Sequence, residues 1–462
     1  MQLQAVPCSP SPVPCRSLTA PGDARLRADA RRILEAGIAA AEPRAAVLRA
    51  LSREGDLLRV AGGETVELGA AGRVWIVGAG KAAAGMAAGA LEVLGDRVAG
   101  GTVTVPAGGP VPRLPGLEVW MASHPVPDTH GLAGATAALE TARAAGEDDL
   151  VLCLLSGGAS ALWPAPPAGV SLSELRAATE RLLRAGAPIA EVNAVRRHLS
   201  RIAGGWLARA AAPARVVTLA VSDVVGSAPD AIGSGPTVPD PTTFGDALEV
   251  LRRREVDVPP AVRAHLQRGH LGEAPETPKP RDPAFARASY RVVASNRDAL
   301  AAAAEEAERL GYRTVVVRDD MEGEAREVAA EVAALAWGAH AEGGPARAPA
   351  ALLLGGETTV TVRGPGRGGR SQELALAAAL AIEGEPGVLV AAAGTDGRDG
   401  PTDAAGAMVD GGTVARGRAA GLEARDALER NDAHTFLRAS GDLVVTGLTG
   451  TNVNDLVLVL VG

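Results

Sequence analysis

Lys81 is the residue of this chain best placed for a chemical role, because it ends the glycine turn Gly78-Ala79-Gly80-Lys81 before a predicted helix. Of the 46 lysine and arginine residues, only two are lysines, Lys81 and Lys279. A sequence that uses arginine almost everywhere is expected to keep lysine where a compact, rotatable ammonium is needed. Glycine turns at helix N-termini are also natural anion sites. The turn therefore predicts phosphate binding at Gly78, Gly80 and Lys81. A tight turn with Lys81 in solvent fits the same residues.

This turn follows neither of the two common nucleotide-binding patterns. A P-loop would need glycine at Trp75 and serine or threonine at Ala82. A dinucleotide fingerprint would need an acidic residue after the next strand, to hold a ribose hydroxyl. That strand, Thr102–Val105, is followed by Pro106. We therefore interpret the turn as an anion site at a helix N-terminus, with Lys81 as its one cation.

A second glycine turn, residues 156–160, follows a fully apolar predicted strand. Gly157 and Gly158 allow a phosphate to approach the backbone closely, and the hydroxyls of Ser156 and Ser160 add donors. We expect these four residues to bind phosphate, with a plain turn as the alternative. A serine hydrolase is disfavoured because the loop lacks the G-x-S-x-G nucleophile elbow.

Carboxylates in two further loops are candidates for holding Mg²⁺. Asp223 follows the apolar strand Val216–Val221 and precedes the glycine-rich stretch 232–237, so it could bind a metal, act as a base or cap a turn. Asp396 belongs to the loop 394–403, which places three carboxylates within eight residues. That loop lacks the terminal glutamate of a Ca²⁺ loop, and Mg²⁺ bound through one or two carboxylates plus substrate phosphates fits better.

The C-terminal half offers a set of residues suited to binding an acid substrate. Arg367 and Arg370 lie in the glycine-rich stretch 364–373, where the guanidinium of Arg370 could clamp a carboxylate or phosphate through two hydrogen bonds. A mobile surface loop is the alternative for this stretch. Glu357 follows a glycine pair, and Asn452 lies in a polar loop between two apolar strands. We expect Glu357, Arg367 and Asn452 to contact the substrate.

The elements that must position these loops alternate between short apolar strands and helices. Such a rhythm is typical of a parallel sheet covered on both faces. The predicted strands are Val74–Val77, Thr102–Val105, Leu117–Met121, Leu150–Leu155, Val216–Val221, Arg291–Ala294, Thr314–Val317, Ala351–Leu354, Thr358–Val362, Val388–Ala392, Leu443–Val445 and Leu456–Val461.

The fold class predicted from this rhythm is α/β with two domains and an active-site cleft between them. We expect a disordered leader at residues 1–23 and an N-terminal Rossmann-like domain at 24–270. A proline-rich connection at 271–288 then leads to a smaller α/β domain at 289–462.

Composition excludes several classes of function. The net charge of -8 and the aromatic content of 2% provide neither a basic footprint nor a stacking platform for nucleic acid. Apolar runs are too short to span a membrane, which needs about 18 residues. Two of the three cysteines, Cys8 and Cys15, lie in the leader and only Cys153 in the body, so a cytoplasmic protein without disulfides is expected.

Taken in order, these loops resemble the class II glycerate kinases, the glycerate 2-kinase family with a MOFRL-type C-terminal domain. The resemblance runs from about Ala24 to Gly462. It rests on the stretches VGAGKAA, SHPVPD, LLSGGASAL, NAVRRHLS, GSGPTVPDPTT, GGETTVTV, GRGGRSQELAL, AAGTDGRDGPTDAAGA and TGLTGTNVNDL. One departure follows Asp223, where the family more often has an acidic residue directly after the glycine; here the nearest is Asp230.

The resemblance implies transfer of a phosphoryl group from ATP, with Mg²⁺, to D-glycerate, typically at the 2-hydroxyl. Lys81 would then stabilise charge on the transferring phosphoryl group, and Arg370 would bind the glycerate carboxylate or the transition state. Asp223 and Asp396 become candidates for holding Mg²⁺ or for orienting the attacking hydroxyl, with Asp223 first. The implied partners are glycerate and nucleotide, with no nucleic acid and no membrane; a homodimer is left open.

Two other functions stay open at this point. An NAD(P)-dependent hydroxypyruvate reductase is the main alternative, and the missing acidic residue after the second strand counts against it. A sugar-acid sensor would bind without turnover and would leave the charged loops unused. The sequence does not decide between the 2- and 3-hydroxyl groups of glycerate.

Overall fold

A computed structural model describes residues 16–17, 23–69, 72–109, 111–339 and 346–462. The predicted leader at residues 1–23, with Cys8 and Cys15, lies almost wholly outside the described residues. Within them, the strands are β1 (Arg16–Ser17), β2 (Leu51–Glu54), β3 (Leu57–Val60), β4 (Glu64–Glu67), β5 (Val74–Ala79), β6 (Val98–Pro106), β7 (Leu117–Ala122), β8 (Leu150–Ser156), β9 (Arg215–Val221), β10 (Ala288–Ala294), β11 (Arg313–Met321), β12 (Ala350–Gly356), β13 (Val388–Gly394), β14 (Gly406–Asp410), β15 (Leu443–Val445) and β16 (Asp455–Val461).

Helices alternate with these strands along most of the chain. In the described residues they are α1 (Ala24–Ala40), α2 (Pro43–Ala50), α3 (Ala83–Leu94), α4 (Thr129–Ala144), α5 (Ala159–Leu162), α6 (Leu172–Arg184), α7 (Ile189–His198), α8 (Trp206–Ala211), α9 (Phe244–Arg253), α10 (Pro260–His270), α11 (Asn296–Arg309), α12 (Ala325–Gly338), α13 (Arg370–Ala381), α14 (Thr413–Ala419), α15 (Ala424–Glu429) and α16 (Ala433–Ser440). None of these helices has the length and apolar character that crossing a membrane requires.

The chain divides into two compact units. Of the described residues, the N-terminal unit comprises those in Glu42–Ser295 and Gly450–Asn452, and the C-terminal unit comprises those up to Ala41 together with those in Asn296–Thr449 and Val453–Gly462. These boundaries differ from the expected ones at both ends. The proline-rich stretch 271–288 lies inside the N-terminal unit, because β10, which follows it, pairs with β9 as an edge strand of that unit's sheet.

Helix α1 lies in the C-terminal unit, although the sequence suggested that it opens the N-terminal domain. It packs against α11 and β16. Its Arg27 is buried and forms ion pairs with Asp410 and Asp442, the second at 2.6 Å. Buried guanidinium groups need such partners, so these two contacts fix the helix to its unit.

The N-terminal unit contains a six-stranded parallel sheet in the order β10-β9-β8-β5-β6-β7. The chain runs outward from β5 to β7, returns to place β8 on the other side of β5, and runs outward again to β10. This is the doubly wound order of a Rossmann-like fold, as predicted, and its switch point lies between β5 and β8. All seven residues of β8 are buried, which explains why that strand is apolar throughout.

The C-terminal unit contains a mixed sheet in the order β1-β15-β14-β13-β16-β12-β11. The last strand, β16, lies centrally and runs antiparallel to both neighbours. The predicted strand Thr358–Val362 is absent from the described sheet. Its backbone makes only a single bridge, from Thr359 to Glu324, and the carboxylate of Glu324 accepts a hydrogen bond from the amide of Thr361 at 2.8 Å.

Candidate active site

The two predicted phosphate loops meet at the switch point of the N-terminal sheet. Lys81 follows the end of β5, and its backbone N–H donates to the carbonyl of Gly157 at 2.9 Å. The N–H of Ala82 donates to the hydroxyl of Ser156 at 2.9 Å. In open α/β sheets, ligands bind beyond the carboxyl ends of the strands at such a point. The sequence-predicted residues Gly78, Gly80, Lys81 and the loop 156–160 are therefore brought together.

Gly80 is required where the two loops cross. Its φ is +132°, and a Cβ at this position would lie 2.1 Å from the hydroxyl oxygen of Ser156. Only glycine combines that backbone conformation with such a close approach. Lys81 follows directly and is partly exposed, so the crossing holds its Cα at the loop junction.

Asp223 lies directly against the second phosphate loop. A Cβ on Gly157 would fall 1.8 Å from the Oδ2 atom of Asp223, so this glycine gives the carboxylate access to the loop backbone. The side-chain amide of Asn452 donates to the same oxygen at 3.2 Å. Asn452, predicted as a substrate contact, thus belongs to the N-terminal unit and orients Asp223.

Two residues near this loop, Ser234 and Asn193, were not assigned a role from the sequence. The hydroxyls of Ser160 and Ser234 are 2.8 Å apart, and Ser234 donates to the side-chain oxygen of buried Asn193 at 3.2 Å. Asn193 lies in the stretch NAVRRHLS and Ser234 in GSGPTVPDPTT. Both stretches carried the family resemblance, and that resemblance was the signal that could have found these residues. His124, from the stretch SHPVPD, also borders the loop, since a Cβ on Gly158 would lie 3.0 Å from its Nε2 atom.

In the C-terminal unit, Arg370 begins α13 and already holds two carboxylates. Its Nε and Nη2 atoms donate to the two carboxylate oxygens of Asp455 at 2.6 and 3.0 Å. Its Nη1 atom also donates to exposed Glu357. Burial raises the pKa of Asp455 to about 6, an effect that the positive charge of Arg370 opposes. The predicted residues Arg370 and Glu357 are therefore paired directly, and Asp455, which had no assigned role, is the second carboxylate bound by Arg370.

The three carboxylates of the loop 394–403 make different contacts. Asp399 caps α13 by accepting hydrogen bonds from the amides of Ser371 at 3.1 Å and Gln372 at 2.8 Å, and burial raises its pKa. Asp403 pairs with Arg438 at the surface. Asp396 lies near Asp455, because the Oδ1 atoms of both would be within 3.5 Å of a Cβ on Gly394.

Arg367 lies apart from the Arg370 pair. Its side chain is exposed. Its backbone N–H donates to the carboxylate of Asp432 at 2.9 Å, and its backbone carbonyl accepts a hydrogen bond from the amide of His434 at 3.0 Å. Over the described residues, no group of three His, Cys, Asp or Glu side chains is arranged to hold a metal ion.

This geometry defines an α/β protein in which two glycine loops join at the switch point of a doubly wound sheet. Comparison with known proteins extends that description. Residues 29–267 match a family described as a domain of unknown function, DUF4147, and residues 350–455 match the MOFRL family.

Relatives match over most of the chain. D-glycerate 2-kinase of Thermotoga maritima is 42% identical, over 84% of this chain and 91% of that protein. A protein of Agrobacterium vitis, provisionally named a hydroxypyruvate reductase, is 42% identical over 95% of both chains. The crystal structure of a glycerate kinase from Thermotoga maritima superposes with a TM-score of 0.83, at 38% identity, over 95% of this chain and all of that one. The chain belongs to the glycerate kinase family that combines DUF4147 and MOFRL domains.

Proposed function

We propose that this protein transfers the terminal phosphoryl group of ATP to D-glycerate, at the 2-hydroxyl, giving 2-phosphoglycerate and ADP. The observation that carries the proposal is the junction of two glycine loops at the switch point, where Lys81 and the loop 156–160 share hydrogen bonds. Phosphoryl transfer depends on positioning and charge stabilisation, and this junction supplies backbone donors, hydroxyls and one ammonium for both.

Within this proposal, each residue of the N-terminal unit has a distinct task. Lys81 neutralises charge on the phosphoryl group as it leaves ATP. The loop 156–160 holds the phosphates through backbone N–H groups and the hydroxyl of Ser160. Asp223, oriented by Asn452, accepts the proton of the attacking hydroxyl or orients that hydroxyl.

A magnesium ion fits this set of donors in the manner usual for nucleotide enzymes. Mg²⁺ commonly binds through one or two carboxylates together with substrate phosphates. Asp223 provides one carboxylate against the backbone of the phosphate loop, so it is our first candidate ligand. The bound ion would neutralise phosphate charge. Asp396 remains the second candidate and lies in the C-terminal unit.

Arg370 is proposed to bind the glycerate carboxylate or the charge of the transition state, with Glu357 and Arg367 as further substrate contacts. The side chain of Arg370 is 32% exposed despite its ion pairs, so part of the side chain is open to a ligand. Asp455 and Glu357 hold the group in one orientation. That orientation would reduce the entropy lost when a carboxylate binds.

A hydroxypyruvate reductase is the second candidate, favoured by the provisional names of two relatives from Agrobacterium vitis. The N-terminal sheet argues against it, because β6, the neighbour of β5, ends at Pro106 without an acidic residue to hold a ribose.

We also propose a cytoplasmic location, consistent with the buried free thiol of Cys153. A homodimer remains an open part of the proposal.

Phosphorus NMR of the products formed from ATP and D-glycerate tests the function and the regiochemistry together. We expect a 2-phosphoglycerate resonance and stoichiometric ADP. A parallel assay follows NADH oxidation with hydroxypyruvate. Rapid NADH oxidation without phosphoglycerate would establish the reductase instead, and binding of glycerate without either reaction would indicate a sensor.

A further inference from the structure

A cavity of about 370 Å³ opens within the N-terminal unit beside the second phosphate loop. Four of the stretches that carry the family resemblance contribute to its lining: Pro125–Pro127, Ser160, Arg196 and Ser234. Ser160 links the two sites, because it belongs to the loop whose Gly157 accepts the hydrogen bond of Lys81. Apart from Ser160, the residues that line the cavity have no role in the proposed reaction.

The walls of the cavity are mainly apolar. Val126 and Leu183 both line it and are 58% and 53% exposed, so they add apolar surface at one place that a ligand could cover. The volume is at the lower end of the ~300–1,000 Å³ typical of small-molecule sites. A three-carbon hydroxy acid, polar throughout, would leave such walls unused. A flat heteroaromatic ring would cover them.

Two arginines, Arg176 and Arg196, also line the cavity. Among the described residues, neither forms an ion pair with a carboxylate, and the Nε–H of Arg176 is buried without an acceptor. A nearby carboxylate, Glu180, is engaged by Arg184 at 2.6 Å. Burial lowers the pKa of Arg196, as expected for a cation with no acidic partner. Partly buried guanidinium groups without a carboxylate partner are suited to a ligand that offers hydrogen-bond acceptors or an aromatic face.

We propose that this cavity holds the purine base of the nucleotide, with the apolar side chains on the ring and Arg176 and Arg196 directed at its face and ring nitrogens. The inference rests on the proposed kinase function and adds the site of the base to it. The phosphates have their own donors at Lys81 and the loop 156–160, so the cavity is left for the adenosine end. Contact with the base would account for Arg196, which belongs to the stretch NAVRRHLS.

Three variants test this assignment. Arg196→Met removes a guanidinium but keeps the length of the side chain, and Thr179→Phe fills the cavity from α6. Arg181→Met is the matched control, because Arg181 lies on α6 with Thr179 but donates to the carbonyl of Asp257, outside the cavity. For each variant, KM is measured for ATP and for glycerate, and calorimetry gives the Kd of ATP and of tripolyphosphate.

We expect Arg196→Met to raise the KM and Kd of ATP about tenfold, the size of one cation–π contact. Thr179→Phe should raise them further, while KM for glycerate and Kd for tripolyphosphate stay within twofold and Arg181→Met behaves as the wild type. Unchanged ATP constants in both cavity variants would overturn the inference. So would a selective rise in KM for glycerate, or weaker tripolyphosphate binding, because either would give the cavity to an anion. Failure of the wild type to form phosphoglycerate would refute the kinase proposal separately.

Discussion

Replacing Gly157 by alanine tests whether the contact between Asp223 and the phosphate loop matters for the reaction. A Cβ at Gly157 would fall 1.8 Å from the Oδ2 atom of Asp223. The carboxylate must therefore retreat by about 1.5 Å to reach an ordinary van der Waals separation. A displacement of about 1 Å in a catalytic group can cost roughly 10²-fold in rate. We expect Gly157→Ala to lower kcat/KM by about 10²-fold, equivalent to about 2.7 kcal/mol.

The effect on stability should be much smaller, because the displaced group is the end of a side chain that can rotate. Overpacking of this kind costs about 1 kcal/mol, or roughly 2–4 °C in Tm. Gly146→Ala is the matched control, four residues before the start of β8. A Cβ there would lie 3.8 Å from the Oδ2 atom of Asp149, an ordinary contact. Both variants are assayed by coupled detection of ADP and by thermal unfolding.

A double-mutant cycle identifies the cause of the loss. If displacement of Asp223 accounts for it, Asp223→Ala and the double variant Gly157→Ala/Asp223→Ala should have equal kcat/KM. The reasoning is refuted if Gly157→Ala keeps its activity within threefold of the wild type. It is equally refuted if the double variant is far slower than Asp223→Ala, since alanine would then act on the loop itself.

Three further predictions concern single charges. Lys81→Arg should lose at least about 10²-fold in kcat, because a planar guanidinium cannot replace the ammonium, whereas Lys279→Arg should stay within twofold; steady-state kinetics decide this. The raised pKa of Asp455, about 6, means that its ionisation costs the folded state free energy as pH rises from about 4 to about 6. Relative to Asp455→Asn, the wild type should lose up to about 3 kcal/mol of unfolding free energy over that window in urea titrations, and equal pH profiles would contradict the assignment. Arg27→Met should destabilise the protein by about 2 kcal/mol, because buried Asp410 and Asp442 lose one of their two guanidinium partners and keep only Arg416. Arg25→Met, which is exposed, should change stability by less than about 0.5 kcal/mol in the same titrations.

The N-terminal sheet could be predicted from the sequence because its strands are short, apolar and separated by helices. The five strands predicted there from Val74 to Val221 all occur in the structure. A parallel strand that is buried on both faces must be apolar along its whole length, and that signal is local. The antiparallel strands β2 to β4 were not predicted, since their burial alternates and charged residues interrupt the pattern.

The division into units could not be predicted from local signals, because it depends on long-range pairing. Helix α1 precedes the N-terminal sheet in the chain, yet the partners of its Arg27 are Asp410 and Asp442. Nothing in the helix sequence indicates partners so far along the chain. Similarly, the sequence of β10 is compatible with either unit until its register with β9 is known.

Site residues were predictable where backbone geometry restricts the residue type, and less so where side chains pair. Gly80 and Gly157 were visible as glycines at strand ends, and the structure gives each a close neighbour. Asp455 was invisible as the partner of Arg370 because the two are 85 residues apart. Asp399 belongs to the loop of three carboxylates in which Asp396 was the metal candidate, and its hydrogen bonds, which the sequence did not indicate, are those of a helix cap.

One feature of the N-terminal sheet bears on both the reaction and the nucleotide site. In a dinucleotide-binding fold, the pyrophosphate lies at the first glycine turn and the ribose is held by an acidic residue after the neighbouring strand. Here the first turn is present, but β6 ends at Pro106, so a nucleotide extended over β6 would find no ribose partner. On the other side of the switch point, the end of β8 leads through Ser160 to the apolar cavity with its two arginines. The same missing carboxylate that argues against a reductase therefore favours a nucleotide whose base points across β8.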